Sequence, residues 1–253
     1  MRPLFSIITV TYNAEATLPA TLRSVAAQTF RDFEYIIMDG ASTDRTLRLA
    51  IDAAIPQSHI FSSPDDGIYD AMNLAMERAS GEYLIFLNAG DAFHSRDTLA
   101  HIADLIAKND YPGIVYGQTD LVDASRHFIA PRHLRAPAKL TLDSFRQGMT
   151  VCHQAFVTLR RIAPHYNTDW KFSADYEWCI KCLQKSRHNI YAGDTPLIDY
   201  LAEGTTTRHR YKSLAERFRI MGYYFGWPGT IVRHFSFIPR FISYRLNNKK
   251  SRS

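Results

Sequence analysis

The stretch SIITVTYNAEATLPATLRSVAAQTF, residues 6–30, decides the fold class. A β-rich apolar run (FSIITV, 5–10) breaks into polar TYNAE, after which Leu18, Leu22, Val25 and Gln28 recur at helical spacing. Thr17 stands where a helix N-cap belongs. Pro19 is tolerated in the first turn, where a missing N–H breaks no helical bond. A second apolar run, FEYIIMD (33–39), follows within a few residues. Strand, helix, strand, with both strands predominantly apolar, is the pattern of a parallel sheet covered on both faces.

Outward from this unit the alternation continues. In STDRT (42–46), Ser42, Thr43 and Asp44 are candidates to cap a second helix, and HIFSS (59–63) is a third extended run. In IYDAMNLAMERASG (68–81), Ile68, Met72, Ala75, Met76 and Ala79 form one helical stripe, with Gly81 placed to end it. YLIFLN (83–88) is the fourth strand. From Gly113 the pattern changes: GIVYGQTDLVD, HFIA and VCHQAFVTL predict strands of an antiparallel or mixed edge. A helix over about 173–186 and two short strands near 189–201 complete the body, with a boundary near Gly204 separating domain 1–204 from extension 205–253.

The 253 residues, 46% hydrophobic, suffice for one large domain with an appendage. No apolar run is long enough to span a bilayer, and Phe5–Val10 is too short for the apolar core of a signal peptide. Three cysteines without framework spacing fit a reducing cytoplasm; Cys179 and Cys182 read as buried thiols. The net charge of +5 hides an asymmetry. From Arg208 onward there are eleven Lys/Arg and one acid, a net of +10, leaving nineteen basic and twenty-four acidic residues, a net of −5, before it. This basic tail interleaves its cations with Phe, Tyr and Trp, which suits an anionic membrane surface. Nucleic acid shares that preference, but no DNA- or RNA-binding motif accompanies the tail, so no nucleic-acid partner is expected. Packing of the tail on its own domain or on a partner subunit is the structural alternative.

Ligands of open α/β sheets sit beyond the carboxyl ends of the strands. Three polar clusters occupy such ends: TYNAE, DGASTD and NAGD. Each alone can be a turn with a cap; together they suggest one shared ligand.

The segments 6–30, FEYIIMDGASTDRT (33–46) and DGIYDAMNLAMERASGEYLIFLNAGDAF (66–93), in this order, resemble glycosyltransferase family 2. Within it they are most like bacterial enzymes that build capsular, exopolysaccharide and colanic-acid repeat units. The resemblance spans roughly residues 4–200 and excludes the tail. It implies a GT-A fold, a Rossmann-like mixed sheet flanked by helices. It also implies inverting transfer of a sugar from a nucleotide-diphosphate donor, a UDP-sugar, to a hydroxyl of a lipid-linked oligosaccharide, at the cytoplasmic face of a bacterial cell membrane.

Residue by residue, Tyr12 is placed to stack or pack against the base, with Thr11, Asn13 and Glu15 offering polar contacts. Asp39 stands where relatives bind nucleobase or ribose, and Asp66 falls in the donor region. Where relatives end the fourth strand in two or three acids, this chain has Asn88, Gly90 and Asp91. Asp91 is thus the implied ligand of Mn2+ or Mg2+, a hard cation whose shell is completed by waters and phosphate oxygens. Asn88 is left to bind a ribose hydroxyl or a metal-bound water. Asp175 matches the Asp of the family's ED signature, the general base, while Ala174 replaces its Glu. His153 and Gln154 are candidate acceptor contacts; a structural histidine explains His153 equally well. The lost acids also motivate a silent nucleotide-sugar-binding module. A sugar nucleotidyltransferase, the other rival, needs a Gly-rich basic loop after the first strand, and TYNAEATL has none.

Overall fold

The computed structural model describes residues 2–202 and 210–233; the remainder of the basic tail lies outside the described residues. Phe5–Thr11 (β1) is buried at all seven positions. It is flanked in parallel by Phe33–Asp39 (β2), with Phe5 opposite Phe33, and by Tyr83–Phe86 (β4), with Phe5 opposite Tyr83. Ser58–Ser62 (β3) adds outside β2.

The second half of the sheet is mixed. Phe156–Leu159 (β8) runs antiparallel to β4, and Ile114–Val122 (β6) antiparallel to β8. Asn189–Leu201 (β9) lies parallel to β6, and Ala92–Phe93 (β5) closes the far edge. The order is β3-β2-β1-β4-β8-β6-β9-β5, with Phe128–Pro131 (β7) paired to β6. This is the mixed α/β sheet expected from the sequence.

Strand alternation splits the core into two layers. Ile8, Val10, Ile36, Met38, Leu84 and Phe86 face one side, against Ile68–Arg78 (α3) and Ala174–Lys185 (α6). Phe5, Ile7, Tyr35, Ile37 and Ile85 face the other, against Leu18–Ala26 (α1) and Thr98–Lys108 (α4). Helices on both faces bury every position of β1 and β2, which is why these strands read as near-continuous apolar runs interrupted by a few buried polar residues such as Ser6 and Glu34.

Local departures from the expected elements have physical reasons. Thr46–Asp52 (α2) has Arg45 at its N-cap position, and Asp44 accepts from the Thr46 N–H at 2.9 Å and from the Glu15 N–H at 3.1 Å. In α3 the buried face is Tyr69, Ala71, Met72, Ala75 and Met76, while Ile68 at the first position is exposed. The two short strands near 189–201 are one strand whose register shifts between Tyr116 and Thr119 of its partner.

Gly81 does not cap α3, which ends at Arg78; it lets two backbones touch. A Cβ on it would stand 2.5 Å from the Ser6 backbone nitrogen and 2.7 Å from the Phe5 carbonyl carbon. Its N–H also donates to Ser6 Oγ and to Glu34 Oε1, at 2.8 and 3.0 Å. Gly81→Ala therefore forces β1 and β4 apart and is expected to cost about 1–3 kcal/mol. Urea denaturation checks this: the midpoint should fall while the slope stays unchanged.

The described part of the extension folds back on the body. Arg210–Phe225 (α7) buries Ile220 and Met221 in the α3/α6 core layer. Glu216 accepts the Lys171 and Phe172 N–H groups at 3.0 and 2.8 Å, and Ser213 meets Ser173 at 2.9 Å, just ahead of α6.

Candidate active site

Parallel β1, β2 and β4 end at one edge, which brings TYNAE, DGASTD and NAGD together. Asn13 takes a left-handed backbone (φ 46°). Its N–H donates to Ser42 Oγ at 2.8 Å, and its Oδ1 accepts from the Thr43 N–H at 2.9 Å. Glu15 Oε2 accepts from the Arg45 backbone N–H at 3.0 Å and from its side-chain Nε at 3.2 Å. The first two loops are thus sewn to each other.

Asp39 is buried beneath them. Its Oδ1 accepts from the Thr11 and Ser42 hydroxyls, and its Oδ2 from the Ser62 hydroxyl at 2.7 Å and the Ser42 N–H at 3.0 Å. Four donors match the acceptor capacity of a carboxylate. A ligand hydroxyl reaching Asp39 has to displace one of these serine or threonine hydroxyls. Tyr12, by contrast, is 67% exposed beside Gly40 and offers an open aromatic face.

The NAGD turn is held from α1. Thr21 Oγ1 accepts from the Gly90 N–H at 2.9 Å and donates to the Asp91 carbonyl at 2.7 Å. Gly90 has φ +105°, a conformation L side chains rarely adopt, so an acid is not tolerated there. Asp91 is 4% exposed; its Oδ1 accepts from the Leu201 N–H at 3.0 Å and its Oδ2 from Gln154 Nε2 at 2.7 Å. Burial pushes its carboxyl up to about 6, against the lowering effect of those two hydrogen bonds and of His153 and Arg126. Gln154 in turn accepts from the buried Cys152 thiol.

Asp175 sits in the first turn of α6 among three elements. Its Oδ1 accepts from the Tyr69 hydroxyl at 3.2 Å and the Tyr176 N–H at 2.9 Å; its Oδ2 lies 3.4 Å from His153 Nδ1. Burial alone would raise its carboxyl. The His153 hydrogen bond and charge, Arg217 and the Tyr176 N–H outweigh that and hold it below the usual range. His153 Nε2 faces Asn88 Nδ2 at 3.4 Å. With the His153 proton on Nδ1, a consistent chain runs from the Asn88 amide through the imidazole to Asp175. Ala174 beside it is fully buried, so a Glu in its place would bury a second carboxylate.

The buried polar atoms without a partner among the described residues include Asn88 Oδ1 and Arg217 Nε on α7. Orphaned buried groups are costly, and a bound ligand or ion is one way to satisfy them. Asn88 Oδ1 and the Asp91 carboxylate are hard oxygen donors on one turn, which suits Mg2+ or Mn2+ completed by phosphate and water. No cluster of three or more His, Cys, Asp or Glu able to hold a metal occurs among the described residues.

Asp66 lines a small cleft with Tyr69 and Lys171, on the Asp175 side. A roomier cleft of about 470 Å³, bordered by Gly113 and Arg187, opens at the opposite, amino-terminal end of β4. Glu177 is turned away from the site toward Lys181 and Tyr224, and Cys179 and Cys182 are buried free thiols. Sequence reasoning did not find Tyr69, Arg217 or Ser62, and read Ser42 as a helix cap rather than as a partner of Asp39. Tyr69 had a usable signal, lying in the same IYD segment as the donor region; Arg217 comes from a helix far along the chain and had none.

The Glycosyl transferase family 2 pattern matches residues 6–164. The chain is 38% identical over 188 residues to the "PGL/p-HBAD biosynthesis glycosyltransferase" of Mycobacterium tuberculosis, covering 72% of this chain and 70% of that one. Among solved structures it is similar to S. aureus TarS 1–349 in complex with UDP-GlcNAc, with a TM-score of 0.69 at 20% identity, over 86% of this chain and 64% of that one. It is also similar to the mannosyltransferase PcManGT from Pyrobaculum calidifontis in complex with GDP-Man and Mn2+. There the TM-score is 0.65 at 15% identity, over 100% and 81% of the two chains.

Proposed function

The chain belongs to glycosyl transferase family 2, and from that premise we propose an inverting transfer of a sugar from a UDP-sugar to a hydroxyl of a lipid-linked oligosaccharide. The observation that carries the reading is the meeting, at one sheet edge, of three strand-end loops with the buried His153–Asp175 pair. Solved structures with this fold hold UDP-GlcNAc and GDP-Man, so a nucleotide-sugar donor is in keeping with the architecture.

In this reading Tyr12, Asn13 and Glu15 receive the nucleoside. Asp39 keeps their loop in shape and exchanges a hydroxyl partner for the ribose. Asn88 and Asp91 would hold a divalent cation, which would supply positive charge to the departing diphosphate. Arg217 offers its unpaired Nε–H to the same or a neighbouring anionic group. Asp175 takes the proton of the acceptor hydroxyl as that oxygen forms its bond to the anomeric carbon, on the face opposite the breaking sugar–phosphate bond. Tyr69 and His153 keep the carboxylate oriented; His153 and Gln154 border the acceptor.

A panel of nucleotide sugars screened by thermal shift with Mn2+, followed by donor hydrolysis, tests the reading. A bound donor raises the melting temperature by mass action. No stabilisation by any nucleotide sugar would overturn the assignment. With the donor in hand, Tyr12→Ala is expected to weaken nucleotide binding about tenfold, the loss of one aromatic stack. Titration calorimetry reads it, and the melting temperature of the ligand-free variant should not move because Tyr12 is largely exposed.

No helix among the described residues is long and apolar enough to cross a membrane. The basic aromatic extension is assigned a peripheral hold on the cytoplasmic face of the cell membrane. Tyr211, Tyr223 and Trp227 on its described part are exposed, as such a role requires.

A further inference from the structure

The β6–β7 hairpin stands at the rim of the catalytic edge. Val122, where β6 ends, pairs with Leu201, whose N–H reaches Asp91. At the turn, Arg126 donates to the Gly90 carbonyl at 2.7 Å. Phe128 and Ile129 on β7 are 61% and 53% exposed. Consecutive strand residues point to opposite faces, so β7 is open on both sides at these two positions, although its partner Val122 on β6 is buried. Between Ala124 and Leu142 the sequence has no Asp or Glu, while Arg126, Arg132, Arg135 and Lys139 fall within it, with His127 and His133. This strap leads through the short helix Leu142–Phe145 (α5) to Arg146, whose guanidinium lies 5.0 Å over the Phe225 ring at the end of α7. The apolar pair on β7, the basic strap and the aromatic helix end therefore follow one another along the chain, beyond a polar turn in which His127 meets Asp123 at 3.4 Å.

We propose that the β6–β7 hairpin and its basic strap seat the catalytic edge on an anionic lipid bilayer. Phe128 and Ile129 enter the headgroup–acyl boundary, and the cations of the strap face anionic headgroups. The proposal rests on the lipid-linked acceptor only for its purpose, and its test reads lipid binding apart from catalysis.

The full-length protein is mixed with phosphatidylcholine vesicles with and without phosphatidylglycerol. A Phe128→Cys variant carries an environment-sensitive fluorophore; Cys152, Cys179 and Cys182 are buried and compete poorly for the label. Its emission should shift to the blue on phosphatidylglycerol vesicles and not on phosphatidylcholine alone. The pairs Phe128→Ser/Ile129→Ser and Arg135→Glu/Lys139→Glu should each lower vesicle partitioning on the order of tenfold, with melting temperature and vesicle-free donor hydrolysis unchanged. An unmoved label on a protein that still sediments with vesicles would assign binding to the tail alone and overturn the proposal. So would double variants that partition like wild type, or a dimer that Phe128→Ser/Ile129→Ser dissolves without affecting partitioning. Donor hydrolysis by the wild type, read in the same samples, tests the enzymatic reading separately.

Discussion

Replacing Asp175 by Asn is expected to lower the turnover of sugar transfer by about a thousandfold, within the range ascribed to a positioned general base, while leaving donor affinity in place. The side chain is isosteric, so Tyr69 and the Tyr176 N–H can still bond to its oxygen, and the packing of α6 is kept. What is lost is the group able to hold the acceptor proton. Because His153, Arg217 and the Tyr176 N–H together overcome desolvation and hold the Asp175 carboxyl below the usual range, the proposed base stays ionised throughout the neutral region. Its protonation should therefore put no acid limb in the rate between mildly acidic and neutral pH. The linkage has a definite sign. A depressed folded value contributes stability above the unfolded carboxylate range and loses it as pH falls through the lower folded value. Asp175→Asn should thus be less stable at neutral pH and converge with the wild type in acid. Measurement of kcat and of donor Kd for both proteins decides the role: a variant with weakened donor binding and unchanged turnover would move Asp175 from base to donor ligand.

The sheet was legible because its strands are buried on both faces. FSIITV and FEYIIMD carry no alternation to misread, and the helix between them announces itself through Leu18, Leu22 and Val25. Where full burial does not coincide with strand pairing, or where the apolar stripe lies between recognised elements, legibility fell. The run VCHQAFVTL reads as one strand, yet His153–Ala155 forms a 3-10 turn and only Phe156–Leu159 pairs. That turn is what delivers His153 and Gln154 to opposite neighbours, Asp175 and Asp91, and no periodicity encodes it. α4 was not anticipated although its buried Leu99, Ile102 and Ile106 follow helical spacing; it lies in the stretch between the fourth strand and Gly113 that the strand pattern passes over.

The site shows a second limit. A motif comparison registers Gly90 and Ala174 only as missing acids. The backbone explains both: a left-handed turn at one, complete burial at the other. Asp39 illustrates the converse. Its position is visible in DGASTD, but that four donors saturate it depends on Ser62, which comes from a different strand. Partners contributed by distant elements, Arg217 above all, leave no trace at the positions they serve.

Asp91→Asn is expected to abolish transfer to within about a thousandth of the wild-type rate, the scale of electrostatic stabilisation of a leaving group, and yet to melt no lower than the wild type at pH 7.5 without metal. Burial raises the Asp91 carboxyl from 3.8 to about 6. In that window the folded state binds more protons than the unfolded chain, so stability falls as pH rises through it. At pH 7.5 the ionised group costs about 3 kcal/mol, at roughly 1.4 kcal/mol per pKa unit. An amide removes that cost. Its oxygen still accepts from the Leu201 N–H, while its NH2 requires Gln154 to turn its carbonyl inward and release the Cys152 thiol, so part of the gain is given back. The difference in unfolding free energy between the two proteins, followed from pH 4 to 7.5, isolates this group from the other carboxylates. Added Mn2+ should then reverse the order, because a cation binds the ionised carboxylate of the wild type and has no charged ligand at this position in the variant. Equal Mn2+ stabilisation of both proteins would show that the NAGD turn is structural and that the diphosphate charge is met elsewhere, with Arg217 the first place to look.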